Sequence, residues 1–142
     1  MKYFKFKLPK SFSGWTIFVF GVLALTIGFI GLLYPDSMLY QLGFKIIPQT
    51  DRTDSDYTIV FITTSSMASF NMGIYYIMAA GNNLKQFFAW TVPFRILTFI
   101  IFSMLIVFKN APMSFFSIAG WELAGAVITA IALATENNKA KG

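Results

Sequence analysis

The sequence contains no cysteine and no histidine among its 142 residues. Without cysteine there is no disulfide bond and no thiol redox chemistry. Without histidine there is no imidazole to transfer protons or to ligate haem. Charged residues are also scarce at 12% of the chain, about half of the share in a typical soluble domain. These absences exclude several classes of enzyme and argue against a water-soluble protein.

Apolar residues take the place of the missing charges, since they make up 56% of the chain and include 17 phenylalanines. The length is that of a single domain, so we predict one unit over residues 1–142. The net charge of +5 does not indicate nucleic acid, because the basic residues lie at the edges of apolar segments. Such positions are typical of membrane topology signals and of contacts with anionic lipids. We therefore expect membrane lipids as the surroundings and no nucleic-acid partner.

Four apolar segments are each long enough to cross a hydrocarbon core of roughly 30 Å. The predicted spans cover about residues 15–34, 57–80, 87–108 and 113–134. Short links before the third and fourth spans predict antiparallel neighbours. The predicted fold class is all-α, a polytopic membrane protein built as an antiparallel four-transmembrane-helix bundle.

The basic residues also predict which side of the membrane each link occupies. If both termini lie on one side, that side holds seven basic residues outside the spans and the opposite side holds three. The positive-inside rule then places both termini in the cytoplasm and the linker at 35–56 outside. Four lysines precede the first span among aromatic residues, and we expect them to contact lipid headgroups; they are Lys2, Lys5, Lys7 and Lys10.

Three of the four aspartates in the linker, Asp51, Asp54 and Asp56, lie close together in sequence and raise the question of a calcium site. Their spacing lacks the glycine and the closing glutamate of an EF-hand loop. We therefore predict no metal site, and we expect the last aspartate or Ser55 to cap the second span. Before these aspartates, a short interfacial helix is expected to end at Gly43.

The second span is the least hydrophobic of the four. It carries the polar run TTSS at 63–66, followed by Ser69 and Asn71, on several faces of the helix. A helix of this kind is not expected to face lipid on every side. The sequence therefore predicts that the second span is the most enclosed helix of the bundle.

Arg95 and Glu122 are the two charged side chains inside the predicted spans. At 1.5 Å per residue they lie roughly 12 and 18 Å from the cytoplasmic ends of their helices, and Asn71 lies about 13 Å from its own. A charge at such depth is costly without a partner. We therefore predict a polar core that joins Arg95, Glu122 and Asn71 and that also includes Thr98 and Ser69.

Two interpretations of this polar core remain open. In one, the pair neutralises itself and fixes which helices pack together. In the other, the pair binds an anionic headgroup, a small polar substrate or a proton. Acid–base catalysis by two carboxylates is not expected, because Glu122 is alone within the spans. The glycines form no phosphate-binding motif, so we predict no catalytic residue and no cofactor.

Several short motifs resemble those of small four-helix bacterial membrane proteins of the DoxX-like kind. They are GFIGLLYP at the end of the first span, LGF after it, Gly73, Arg95 in the third span, and WELAGA in the fourth. Where such families often place a basic residue in the second span, this chain has Asn71. The resemblance implies a four-helix membrane fold and no established activity.

The function expected from these features is that of a non-enzymatic membrane protein. It would be an accessory or scaffold subunit of a membrane complex, or a homo-oligomer, because small residues form stripes on the first and fourth spans. The partners expected are membrane lipids together with other membrane subunits or further copies of the chain. The alternative is a small transporter or a binder of lipids or small molecules that uses the polar core as its site.

Overall fold

The computed structural model describes residues 7–139, and all regular structure in this part of the chain is helical. The helices are α1 (Phe12–Leu33), α2 (Pro35–Gln41), α3 (Thr58–Gly81), α4 (Lys85–Val107) and α5 (Phe116–Lys139). Short 3₁₀ turns occur at Gln49–Asp51 and Met113–Phe115. The predicted all-α class is confirmed.

At the starts of α1 and α3, side-chain oxygens accept hydrogen bonds from backbone amides and so help to set where each helix begins. Helix α1 begins three residues earlier than expected, because Ser11 Oγ accepts a hydrogen bond from the Gly14 amide at 3.1 Å. Asp56 Oδ1 accepts from the Thr58 amide at 2.9 Å at the start of α3, but it does so from the position before the N-cap residue Tyr57, and no side chain caps the helix from the N-cap position itself. Hydrogen bonding from Thr58 holds the pKa of the Asp56 carboxyl below its usual value.

The four long helices alternate in direction and pack as two pairs. Helix α1 packs along α3, α4 packs along α5, and the two pairs meet mainly where α1 contacts α5. A buried apolar cluster lies at the end where α1 and α4 begin and where α3 and α5 finish. Its members include Ile17, Phe20, Tyr76, Ala80 and Phe88.

Glycines bring the backbones of α1 and α3 close together. A Cβ atom on Gly28 would collide with the Phe70 backbone, and one on Gly73 would collide with Leu25. Gly21 and Gly31 contact α3 in the same way. The small residues of the first span therefore pack against α3 inside the monomer. They no longer serve as evidence for a contact with another subunit.

Within residues 7–139, three segments are long and apolar enough to cross a membrane, namely α1, α4 and the segment Met113–Lys139. This finding is typical of an integral membrane protein. Helix α3 has a comparable length, but its serines, threonines and asparagine make it less apolar, and it is not among the three.

The prediction that the second span is the most enclosed helix is wrong. Helix α3 packs against α1 and α2 along one side, while large residues on other sides are exposed, such as Phe61 and Tyr75. The hydroxyls of Thr64 and Ser65 donate to carbonyls of their own helix, so they do not need an interior environment.

The linker between α1 and α3 folds against the ends of the helices. Arg52 pairs with Asp36 at 3.0 Å and donates from Nε to the Ile47 carbonyl at 2.9 Å. The short helix predicted here is present as α2, and Gly43 follows it with a φ of +79°. Helix α2 starts at Pro35 without a side-chain cap. Ser114 Oγ donates to the Leu42 carbonyl at 2.9 Å, which ties the linker to the turn between α4 and α5.

Candidate functional site: a buried arginine between three helices

Arg95 of α4 and Glu122 of α5 lie in direct contact. The arginine Nε donates to Glu122 Oε2 at 3.1 Å. Arg95 is only 3% exposed, whereas 18% of the Glu122 side chain remains exposed. Because α4 and α5 are antiparallel neighbours, the two residues meet about midway along the pair.

A third helix supplies the face on which the arginine lies. The Arg95 guanidinium carbon is 3.6 Å from the centre of the Phe20 ring, on α1. On α5, Trp121 stacks on the same phenylalanine with ring centres 5.9 Å apart and planes 11° apart. The cation is thus stabilised by a carboxylate and by the negative face of an aromatic ring. Sequence reasoning missed Phe20, since nothing distinguishes it among 17 phenylalanines.

Gly125 provides the space that the guanidinium occupies on α5. A Cβ atom at this position would overlap the Arg95 Nη2 atom. Glycine therefore lets the guanidinium lie directly against the backbone of the neighbouring helix. The sequence identified Gly125 as a small residue at a helix contact, but it did not show that the contact is with Arg95.

One nitrogen of the arginine has no hydrogen-bond partner. Arg95 Nη2 is buried, and no acceptor lies within reach among the residues that the structure describes. A guanidinium carries five N–H donors, and a buried unsatisfied donor costs about 1–3 kcal/mol. The arginine is therefore buried without being fully satisfied.

The other residues predicted for the polar core make no side-chain hydrogen bond to Arg95 or Glu122 within the described residues 7–139. Ser69 Oγ donates across the α1–α3 contact to the Ala24 carbonyl at 2.9 Å. Thr98 donates to the Phe94 carbonyl of its own helix at 3.0 Å. The carboxamide of Asn71 makes no hydrogen bond to any residue in the described range 7–139. Similar depth did not bring Ser69 and Asn71 to Arg95, because α3 packs on α1 rather than on α4. Thr98 is on the same helix as Arg95, but its hydroxyl bonds within that helix.

A second polar cluster lies at the end of the bundle that holds the first residue of α4. Glu136 accepts from the backbone amide and from the hydroxyl of Ser13, both at 2.8 Å, and pairs with Lys85 at 3.0 Å. The carboxylate thus satisfies an amide at the start of α1 and joins three helices. Helix α5 continues to Lys139, beyond the predicted end of the fourth span at 134, and this extension carries Glu136.

The lysines predicted to contact headgroups are only partly covered by the structure. Lys7 and Lys10 are exposed, whereas Lys2 and Lys5 lie outside the described residues. Headgroup contact stays a prediction for all four. Within residues 7–139, no three acidic side chains lie close enough to hold a metal ion.

No protein-family model, no curated protein and no solved structure matches this chain. The resemblance to DoxX-like proteins therefore stays a prediction, and function has to be argued from the site itself.

Proposed function

We propose that this chain is a non-enzymatic integral membrane protein that serves as an accessory or scaffold subunit of a membrane complex, or as a homo-oligomer. In this proposal the Arg95–Glu122 pair holds the helices in place and does not process a substrate. The observation that carries the proposal is the enclosure of Arg95 by Glu122, Phe20 and Gly125, which leaves the arginine 3% exposed.

The distribution of apolar side chains supports an assembling role. Large hydrophobic residues are exposed on all four long helices, including Val19, Phe61, Leu97 and Ile131. Surfaces of this kind suit lipid and the helices of other membrane proteins. Because the Arg95–Glu122 pair is enclosed, we expect partners to contact these exposed apolar surfaces instead.

The proposal includes four crossings with both termini in the cytoplasm. Helix α3 runs antiparallel to α1 and stays in close backbone contact with it from Gly21 to Gly31. A helix held this tightly along an apolar span is expected to cross the membrane together with that span. The four-helix arrangement is also what the DoxX-like resemblance implies.

Paired substitutions at the buried arginine test whether it acts structurally. Arg95→Leu leaves Glu122 without its partner and is expected to destabilise the protein by about 3–5 kcal/mol. The double variant with Glu122→Leu removes both charges, so it is expected to regain most of the lost stability. Thermal unfolding in detergent measures the stability, and complementation of a deletion strain measures the function.

The outcomes separate the two roles of the pair. A double variant that recovers both stability and complementation supports the structural role. A double variant that folds but does not complement would instead identify the pair as a binding site. Unchanged stability in Arg95→Leu alone would contradict the structural role directly.

The second candidate is a transporter or a lipid or small-molecule binder that uses the same pair. It is favoured by the unpaired Arg95 Nη2 and by the partial exposure of the Glu122 side chain. A free donor beside a partly accessible carboxylate suits a small polar or anionic group. This function predicts the folded but inactive double variant just described.

A further inference from the structure

Asn71 lies near the middle of α3 with an unsatisfied side chain. It is partly exposed, and its carboxamide makes no hydrogen bond to any residue between 7 and 139. An amide without a partner is costly in hydrocarbon, because no water is present to replace the missing bonds. The side chain therefore requires a partner that the monomer does not supply.

The position of Asn71 shows from which side that partner must come. Helix α3 faces α1 through buried residues that include Ser66, Gly73 and Tyr76. At 3.6 residues per turn, Asn71 lies roughly 160° around the helix from Gly73. Asn71 therefore faces away from α1, toward the outside of the bundle.

Asn71 is the central residue of an outward row on α3, which we call the α3 seam. Its members follow one another at steps of four and three residues; they are Thr64, Ala68, Asn71, Tyr75 and Met78. Thr64, Ala68 and Tyr75 are exposed, and Met78 is partly exposed. This spacing is that of helix pairs that cross at a small angle. The small side chains of Thr64 and Ala68 allow a second helix to approach closely.

The chemistry of the amide favours a second copy of this chain as the partner. A carboxamide carries both a donor and an acceptor, so two asparagines facing each other across a two-fold axis satisfy one another. No member of the α3 seam is charged, so the seam does not call for a partner of opposite charge. A single asparagine within an apolar helix contact is also a known determinant of register and oligomeric state.

We propose that the chain forms a symmetric homodimer through the α3 seam, in which Asn71 Nδ2 of each copy donates to Asn71 Oδ1 of the other. This dimer rests on the proposed function, since it requires α3 to lie in the membrane. It names the surface and the partner that the proposed function leaves open.

Cysteine cross-linking tests the dimer surface directly, because the natural sequence contains no cysteine. Thr64→Cys and Ala68→Cys place thiols on the α3 seam, whereas Leu97→Cys and Val127→Cys place them on exposed sites of α4 and α5. A disulfide needs Cα atoms about 4.4–6.8 Å apart. With the full chain in lipid vesicles under mild oxidation, we expect covalent dimers from the two α3 variants and none from the controls.

Substitution of the asparagine tests its part in the contact. Asn71→Leu removes both reciprocal hydrogen bonds of the dimer and is expected to raise the dimer dissociation constant about ten-fold, which corresponds to about 1.4 kcal/mol for the two bonds together. Ser65→Leu is the matched control, because Ser65 is exposed on the same helix and its hydroxyl already donates to Ile62. Energy transfer between labelled chains at a series of protein-to-lipid ratios measures the constant.

Each outcome decides the proposal. Cross-links at the control sites without cross-links on the α3 seam would overturn the proposed interface. An unchanged constant in Asn71→Leu, with unfolding like that of the unsubstituted protein, would overturn the role of Asn71. If the chain crosses the membrane four times but remains a monomer, the proposed dimer is wrong, whereas the proposed role as an accessory subunit is unaffected. Failure of α3 to cross the membrane would contradict both proposals.

Discussion

At the scale of single residues, the environment of Arg95 shows how a helical bundle accommodates a buried cation. The charge is balanced by Glu122, the flat guanidinium lies on Phe20, and its outer edge lies against Gly125. Each contact comes from a different type of group: a carboxylate, an aromatic ring and a bare backbone. The arginine is therefore sensitive to changes at positions that carry no charge.

Gly125→Ala is the sharpest single-residue test of this environment. The added methyl group would overlap the guanidinium, so we expect a loss of stability of about 1–3 kcal/mol, the range for overpacking. Gly120→Ala is the control on the same helix, since nothing lies within 4 Å of a Cβ atom there. The control is expected to be neutral, or stabilised by up to about 1 kcal/mol. Thermal unfolding of both variants in detergent checks the prediction, and equal effects would contradict it.

At the scale of helices, polar groups near the helix ends connect elements that are far apart in sequence. Glu136 near the end of α5 binds Ser13 in the first turn of α1, and it also pairs with Lys85 at the start of α4. One turn further along this contact, the hydroxyls of Thr16 and Thr129 lie 3.0 Å apart. These bonds set how α1 and α5 are positioned along each other.

Removal of the Glu136 carboxylate is expected to weaken this connection. Ser13 is fully buried, so Glu136→Ala leaves its amide without that acceptor and should cost about 1–3 kcal/mol. Lys85→Met should cost less than about 1 kcal/mol, because Lys85 is 46% exposed and water screens the ion pair. Asn137→Ala, at an exposed neighbouring site, is the control. Hydrogen exchange at the start of α1 measures the effect, and a larger loss in Lys85→Met than in Glu136→Ala would contradict this account.

At the scale of the whole molecule, the number of crossings decides where each link lies. Three helices are apolar enough to cross a membrane unaided, and an odd number of crossings would place the two termini on opposite sides. Close packing of α3 on α1 supports a fourth crossing, which returns the termini to one side. The basic residues outside the spans, seven against three, favour the same arrangement.

Labelling of single cysteines distinguishes three crossings from four. The test uses Asp54→Cys, Asn82→Cys and Asn110→Cys in the three links between the long helices, and Asn138→Cys at an exposed position in the last turn of α5. With four crossings, a membrane-impermeant thiol reagent added to intact cells should label positions 54 and 110, and should label 82 and 138 only after permeabilisation. With three crossings that omit α3, positions 82 and 138 would be labelled in intact cells and position 110 would not.

The sequence alone determined the class of this protein, because apolar length, scarce charge and the placement of lysines depend only on the order of residues. It also predicted that Arg95 and Glu122 belong together, since two opposite charges within apolar segments are each costly without a partner. It did not identify Phe20 or Gly125 as contacts of Arg95, and it grouped Asn71 with a pair to which its side chain makes no hydrogen bond. Depth along a helix follows from counting residues, whereas the direction in which a side chain points within the bundle follows from which helices pack together.

The tertiary structure decided those directions. The glycines of α1 and α3 bring these two helices together, so α3 lies beside α1 and Asn71 points outward, away from Arg95. That packing leaves the guanidinium to Glu122, Phe20 and Gly125. Local residue patterns indicated which segments are helices, but close contact between particular backbones determined which polar groups meet.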